Sequence, residues 1–175
     1  MGNSQVGKPS LSEALREAQV WWTVKKFTGS LALQLDTPYS ISRFGGNAML
    51  NSGIDELWTI VASENLGTKF DSLHAYLGVG NDSTDVDPTQ TGLNPSGGGA
   101  TAYASMDNGF PTYGTLQLAT WRATFDSSTA NFAWREFTIA NGNSSAAKSL
   151  NRKVSPQGIK VSGQIWQLTL EITLS

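Results

Sequence analysis

The sequence predicts a mainly β protein: an antiparallel β-sandwich or jelly-roll-like domain with one main α-helix at about residues 49–62 and a short N-terminal helix. Three observations predict it. From Trp166 onward the apolar side chains fall on every even position, Trp166, Leu168, Leu170, Ile172 and Leu174, with Gln167, Thr169, Glu171 and Thr173 between them. Period-two alternation of this length marks a strand with one buried and one wet face, as in antiparallel sheets. The same alternation returns around Trp22–Val24 and at Ala119, Trp121, Ala123 and Phe125. The clearest helical spacing is in Met49–Ala62, where Leu50, Ile54, Leu57, Trp58 and Val61 recur at three- and four-residue steps.

Composition narrows the function. At 175 residues the chain can bury one sizeable core. No apolar run approaches eighteen residues, so no membrane helix is expected. Met1–Val6 has neither the basic-then-apolar order of a secretory signal nor the Ser or Thr that myristoylation needs at position 6. Cysteine is absent, which excludes disulfides, thiolate zinc sites and cysteine nucleophiles. His74 is the only histidine, so a multi-histidine metal site is excluded, and no cofactor is expected. The net charge of -2 lacks the basic excess of a nucleic-acid binder, so nucleic acid and membrane are not expected partners. Lys148, Arg152, Lys153 and Lys160 read as a solvated face or a partner contact.

In chain order, residues 1–19 read as an arm carrying a short helix, and residues 20–175 as a single β-sandwich domain. Ser10-Leu11-Ser12-Glu13 is a capping box before a helix at Leu11–Ala18. Val20–Phe27 is a strand. Leu31, Leu33 and Leu35 alternate as a second strand, joined to the first by a hairpin at Gly29-Ser30, and Pro38–Gly46 follows as a loop. In the main helix Trp58 is expected as a core anchor, and Gly53 as a weak point. Leu73–Val79 alternates as a strand, and residues 81–99 form a long polar loop that the aromatic stretch Tyr103–Tyr113 continues. Leu116–Phe125 and Phe132–Ile139 are strands. Asn141-Gly142-Asn143 is a turn, Leu150–Val154 a short strand, and Pro156-Gln157-Gly158 turns the chain into the final strand.

The candidates for chemistry each have a plainer structural reading. Gly78-Val79-Gly80 lacks the third glycine and the following Lys of a phosphate loop, so it reads as a tight strand exit. Asp82, Asp85 and Asp87 do not match a calcium loop and read as solvated carboxylates. His74, on a strand and without a Ser-His-Asp pattern, reads as a surface or interface histidine. Glu136 would need Asp107 or Asp126 across a cleft to act as a glycosidase. A structural ion pair with Arg122 or Arg152 on a neighbouring strand is the simpler expectation. Trp21 and Trp22 cannot both face inward on one strand, so one of them faces a partner, a helix or solvent.

The order of motifs carries a resemblance. Asn47-Ala-Met-Leu-Asn-Ser-Gly-Ile-Asp-Glu-Leu-Trp58 is followed by Leu77-Gly-Val-Gly-Asn81, Thr89-Gln-Thr-Gly-Leu93, Met106-Asp107 with Phe110-Pro111, Phe125 with Asn131-Phe-Ala-Trp-Arg-Glu136, and Leu150-Asn-Arg152. Over residues 45–175 this order resembles virion structural proteins of tailed bacteriophages. The resemblance implies a β-rich, non-enzymatic part of the particle. A capsid decoration (cement) protein is the reading preferred here, partnered by the major capsid protein or other virion proteins and assembled as a homotrimer. A tail, neck or fibre component is the alternative, and a carbohydrate-active enzyme a remote one. The expected contact residues are Leu11 and Leu15 in the arm, Trp21 and Trp22, Asp85 and Asp87, and the aromatic residues Tyr103, Phe110 and Tyr113.

Overall fold

The computed structural model describes residues 18–94, 99–144 and 147–174. The expected N-terminal helix, with Leu11 and Leu15, lies outside the described residues. The described chain runs β1 (Gln19–Phe27), α1 (Ser30–Gln34), β2 (Ser40–Gly45), β3 (Ala48–Met49), α2 (Asn51–Ala62), β4 (Tyr76–Gly80), β5 (Thr101–Ser105), β6 (Thr112–Thr115), β7 (Leu118–Phe125), β8 (Ala133–Ala140), β9 (Asn151–Ile159) and β10 (Ile165–Thr173). The strands form two five-stranded sheets, ordered β2-β1-β10-β7-β6 and β3-β9-β8-β4-β5. Every strand pair is antiparallel. The expected β-sandwich is therefore the observed fold.

Register explains how the first sheet makes an apolar inner face. Trp22 pairs with Leu170 and Leu170 with Trp121; Val24 pairs with Leu168 and Leu168 with Ala123. Matching parity on three adjacent strands puts all their apolar positions on one side. In the second sheet Leu77 pairs with Ile139, and Val79 with Phe137. Between the sheets, the Trp134 ring centroid lies 4.9 Å from those of Phe125 and Trp166, edge-on to both, and Trp22 and Phe44 approach Phe137 at 5.9 and 5.1 Å. Such contacts add about 0.5–1.5 kcal/mol per pair beyond area burial. The indole N–H groups of Trp121, Trp134 and Trp166 donate to Phe70 O, Ala130 O and Gln164 Oε1.

Several elements differ from the sequence reading. Leu31–Leu35 is not a strand: Ser30–Gln34 is α1, with Leu31 and Leu35 exposed. The strand on the other side of β1 from β10 is β2, within the stretch expected to be a loop, and it places Phe44 opposite Trp22. The chain from Asp71 to His74 is a turn, not a strand. The Asp71 carboxylate accepts the backbone N–H groups of Leu73 and His74 and pairs with His74 Nδ1 at 2.7 Å. The aromatic stretch after the long loop contains β5 and β6. Gly80 is the last residue of β4, at the expected strand exit, while Gly78 lies within the strand.

Pro156–Gly158 does not turn the chain either, because β9 runs through it. From Trp134 to Glu136 β8 advances two residues, while β9 advances four, from Gly158 to Val154. This bulge absorbs Pro156, which has no N–H for the ladder. It also changes the phase of β8. Trp134 and Phe137, three residues apart, both reach the core, and Glu136 turns to the sheet's other face.

Helix α2 rotates Trp58 outward. Leu57 and Ile60 pack on the core, which leaves Trp58 57% and Val61 72% exposed. The expected core anchor is thus a surface residue, because the apolar stripe is wider than the face that the sandwich can cover. Gly53 holds the helix close to the second sheet. A Cβ at Gly53 would lie 2.4 Å from Leu150 Cα and 2.5 Å from Ser149 O, both backbone atoms. Helix propensity favours alanine over glycine by about 1 kcal/mol. The close approach reverses that sign, so we expect Gly53→Ala to lower stability by about 1–3 kcal/mol in urea unfolding. A gain in stability would mean that α2 can back away from Leu150 freely.

Candidate functional site

The two outer faces of the sandwich have opposite characters. Sheet β3-β9-β8-β4-β5 is covered by the segment 81–94, and the cover is fastened by one guanidinium. Arg152 and Glu136 are both fully buried, with Arg152 Nε 2.7 Å from Glu136 Oε2. Arg152 Nη1 donates to Thr84 O at 3.0 Å and to Gln90 Oε1 at 3.1 Å, and Nη2 reaches Asp82 Oδ1 at 3.3 Å. Asn94 N–H donates to Glu136 Oε2 at 3.0 Å. A planar donor fork can hold this many acceptors on one side chain.

The glycines of β4 make the space. A Cβ at Gly80 would sit 2.2 Å from Glu136 Oε1, and one at Gly78 would sit 2.6 Å from the Tyr103 ring. Their place in the sequence reflects side-chain room on a covered sheet, not phosphate binding. Burial pushes the Glu136 carboxyl up, against the downward pull of the Asn94 N–H and of Arg152. Burial and the neighbouring Glu136 charge push the Tyr103 hydroxyl up to about 12. Among the described residues Glu136 Oε1 has no hydrogen-bond partner.

The carboxylates of the segment do not converge on a cation. Asp82 faces Arg152 and the Thr84 N–H, and Asp87 accepts the N–H and hydroxyl of Thr89, which hold it below the usual carboxylate range. Among the described residues no group of three or more His, Asp and Glu side chains is placed to hold a metal. The basic cluster also dissolves as a face. Arg152 is buried here, and Lys160 is buried elsewhere, donating to Thr129 O and Asn131 Oδ1 at 2.8 Å.

Sheet β2-β1-β10-β7-β6 leaves its outer face open. Trp21 lies there, 40% exposed, against Gly45 and under the Arg43 guanidinium at 4.6 Å, and Arg43 also pairs with Glu171. Trp22 is fully buried, so as an expected contact residue it is corrected to a core residue: its pairing with Leu170 directs it inward. A groove of about 540 Å3 crosses the same open face between α1 and the turn at Asp107–Phe110. Asp107 Oδ2 accepts Arg122 Nε at 2.9 Å, Thr124 Oγ1 at 3.0 Å and Gln167 Nε2 at 3.2 Å. The Arg122 guanidinium also lies 4.2 Å from the Phe110 ring centroid. Opposite, Lys25 pairs with Asp36 at 2.8 Å.

The expected contact residues are therefore divided. Trp21 and Phe110 belong to the open face, and Tyr113 is exposed on edge strand β6. Tyr103 lies over Gly78 on the covered face, near the segment that carries Asp85 and Asp87. Of the two alternatives for Glu136, Arg152 is its partner, while Arg122 pairs with Asp107. Asp107 and Glu136 consequently lie on opposite outer faces. The groove residues Thr124 and Gln167 were not singled out from sequence. Their only signal is that they occupy the polar positions of two alternating strands.

Breaking the buried pair from one side leaves an uncompensated charge, which costs about 3–5 kcal/mol. We expect Arg152→Met to lose that much in chemical unfolding and to open segment 81–94 to limited proteolysis. Arg152→Met combined with Glu136→Leu should recover part of the loss. Tyr103 supplies a pH test. Its ordinary value is 10.0 and its folded value about 12, so between them the folded state holds the proton that the unfolded state releases. Stability is thus expected to fall as pH rises from 10 towards 12, and Tyr103→Phe should flatten that fall. Alkaline denaturation curves of the two proteins check it.

No protein-family model matches the chain, and no curated protein or solved structure is significantly similar to it.

Proposed function

We propose that the chain is a structural protein of a tailed-phage virion, and specifically a decoration protein that binds the assembled capsid lattice as a trimer. The observation that carries this reading is an apolar surface on α2 and the turns after it. Trp58, Val61, Leu66 and Leu73 are 57%, 72%, 65% and 79% exposed. Large exposed apolar side chains, here all within the chain segment from α2 to the turn at Asp71–His74, favour a protein partner. The region overlaps Asn47–Trp58, the longest of the stretches that carry the resemblance to virion proteins.

The stretches behind that resemblance also meet in space. Met49 pairs with Asn151, Gly80 with Glu136, Gln90 with Arg152, and Arg152 with Glu136. They build one support for the loop cover and for α2. The proposed role is non-enzymatic, and it suits a molecule in which Asp107 and Glu136 stand on opposite faces. A protein that binds only the assembled lattice stabilises that lattice by mass action.

Counting this chain against the major capsid protein in purified particles tests the proposal. A lattice-wide decoration protein gives a ratio of about one per capsid subunit. A ratio of a few per cent moves the chain to the neck, tail or fibres. Trp58→Ala, at an exposed position, should leave the free chain folded and lower its affinity for undecorated particles by about tenfold or more. Unchanged affinity would remove the α2 surface from the contact.

A further inference from the structure

We propose that the groove on the open face of sheet β2-β1-β10-β7-β6 binds a neutral oligosaccharide. Charge comes first. The groove contains two cations and two anions, and each is already paired: Lys25 with Asp36, and Arg122 with Asp107. A phosphate or carboxylate ligand would have to displace a resident carboxylate, so the groove selects against strongly charged ligands.

Unfilled hydrogen-bonding capacity comes second. Asp107 takes three donors on Oδ2, while Oδ1 accepts none among the described residues. Gln167 donates from Nε2 to Asp107 and to Thr124 Oγ1, which leaves its Oε1 without a donor there. The exposed Asn108 side-chain amide makes no hydrogen bond among the described residues. The groove thus presents two acceptors, Asp107 Oδ1 and Gln167 Oε1, and one free amide, with the Thr124 hydroxyl already engaged by Asp107 and Gln167. Sugar hydroxyls donate and accept at the same oxygen, and such a mixed set matches them. Leu33 adds an apolar flank suited to the C–H face of a pyranose ring.

Pre-organisation comes third. Asp107 is held by three side chains on β7 and β10, and Arg122 is held by Asp107 and the Phe110 ring. Rotamers that are fixed before binding lower the entropy cost of ordering the site. The groove volume of about 540 Å3 lies in the range of small-molecule sites, and its place on a sheet face disfavours a peptide, which would add to a sheet edge. This site is separate from the α2 surface and does not depend on the virion reading.

Titration of the full chain with a panel of neutral oligosaccharides (maltohexaose, cellohexaose, laminarihexaose and mannohexaose), followed by NMR, tests the proposal. Hyaluronan hexasaccharide serves as the acidic comparison. We expect saturable shifts at Gln167, Thr124, Asn108 and the Leu33 methyls with at least one neutral member. Asn108→Ala and Gln167→Ala should each weaken that binding by about tenfold, and Asn108→Ala, which removes no hydrogen bond among the described residues, should leave thermal unfolding unchanged. No shift at these residues with any neutral member overturns the proposal. So does binding of the acidic glycan alone, or affinity that both substitutions leave unchanged.

Discussion

One buried ion pair holds half of this molecule in place. Arg152 and Glu136 lie on the outer face of the second sheet, out of contact with water, where an unpaired charge would be very unfavourable. Arg152 therefore has to find partners, and the segment 81–94 supplies them through Thr84, Gln90 and Asp82. The dependence runs both ways. The segment contains no helix or strand, and the guanidinium gives its carbonyls and side chains a common centre. Gly78 and Gly80 then follow as necessities, because any Cβ there would collide with Tyr103 or Glu136. The bulge in β9 belongs to the same arrangement, since it lets Glu136 face outward while Trp134 and Phe137 both face the core.

Covering one sheet leaves the other to meet the surroundings. The groove on the open face is polar and its charges are paired, and Asp107 organises it as Arg152 organises the covered side. Both networks use an arginine and a carboxylate, but their environments give them different consequences. The buried pair is a structural fastening whose loss costs stability. The partly exposed pair at Arg122 and Asp107 keeps acceptors in contact with solvent, where a ligand can reach them. The apolar surface on α2 is a third region, directed by the rotation that puts Leu57 and Ile60 against the core. A glycan groove and an apolar docking surface on separate parts of one sandwich would let the protein hold a partner with one and a saccharide with the other.

The legible parts of the fold were those in which one strand carries its own evidence. The alternation through Trp166, Leu168, Leu170 and Ile172 identified β10 and its buried face, and Trp22 with Val24 did so for β1. The Trp21-Trp22 pair signalled correctly that one indole must face away from the core. Local evidence misled where a short apolar run had no fixed neighbour. Leu31, Leu33 and Leu35 fit a strand, yet β1 takes Ser40–Gly45 as its neighbour, and Leu31 and Leu33 lie on α1 with Leu35 capping its end. Trp58 fit the stripe of α2, but Ile60 took the inward position. Pro156–Gly158 had the composition of a turn, and a bulge accommodated it within a strand.

The candidate sites were less legible than the fold. Glu136 and Arg152 could be named as possible partners because both are charged residues expected on neighbouring strands, but Arg122 was an equal choice in sequence. Thr124 and Gln167 look like any polar residues that alternate with a buried face. By itself the sequence determined the class of fold, the central strands and the absence of thiol and multi-histidine chemistry, because periodicity and composition are local properties. Only the tertiary structure decided which arginine serves Glu136, which tryptophans reach the core, and which polar side chains share the groove with Asp107. Those outcomes depend on strand order, register and one bulge, and each is set by contacts between residues far apart in the chain.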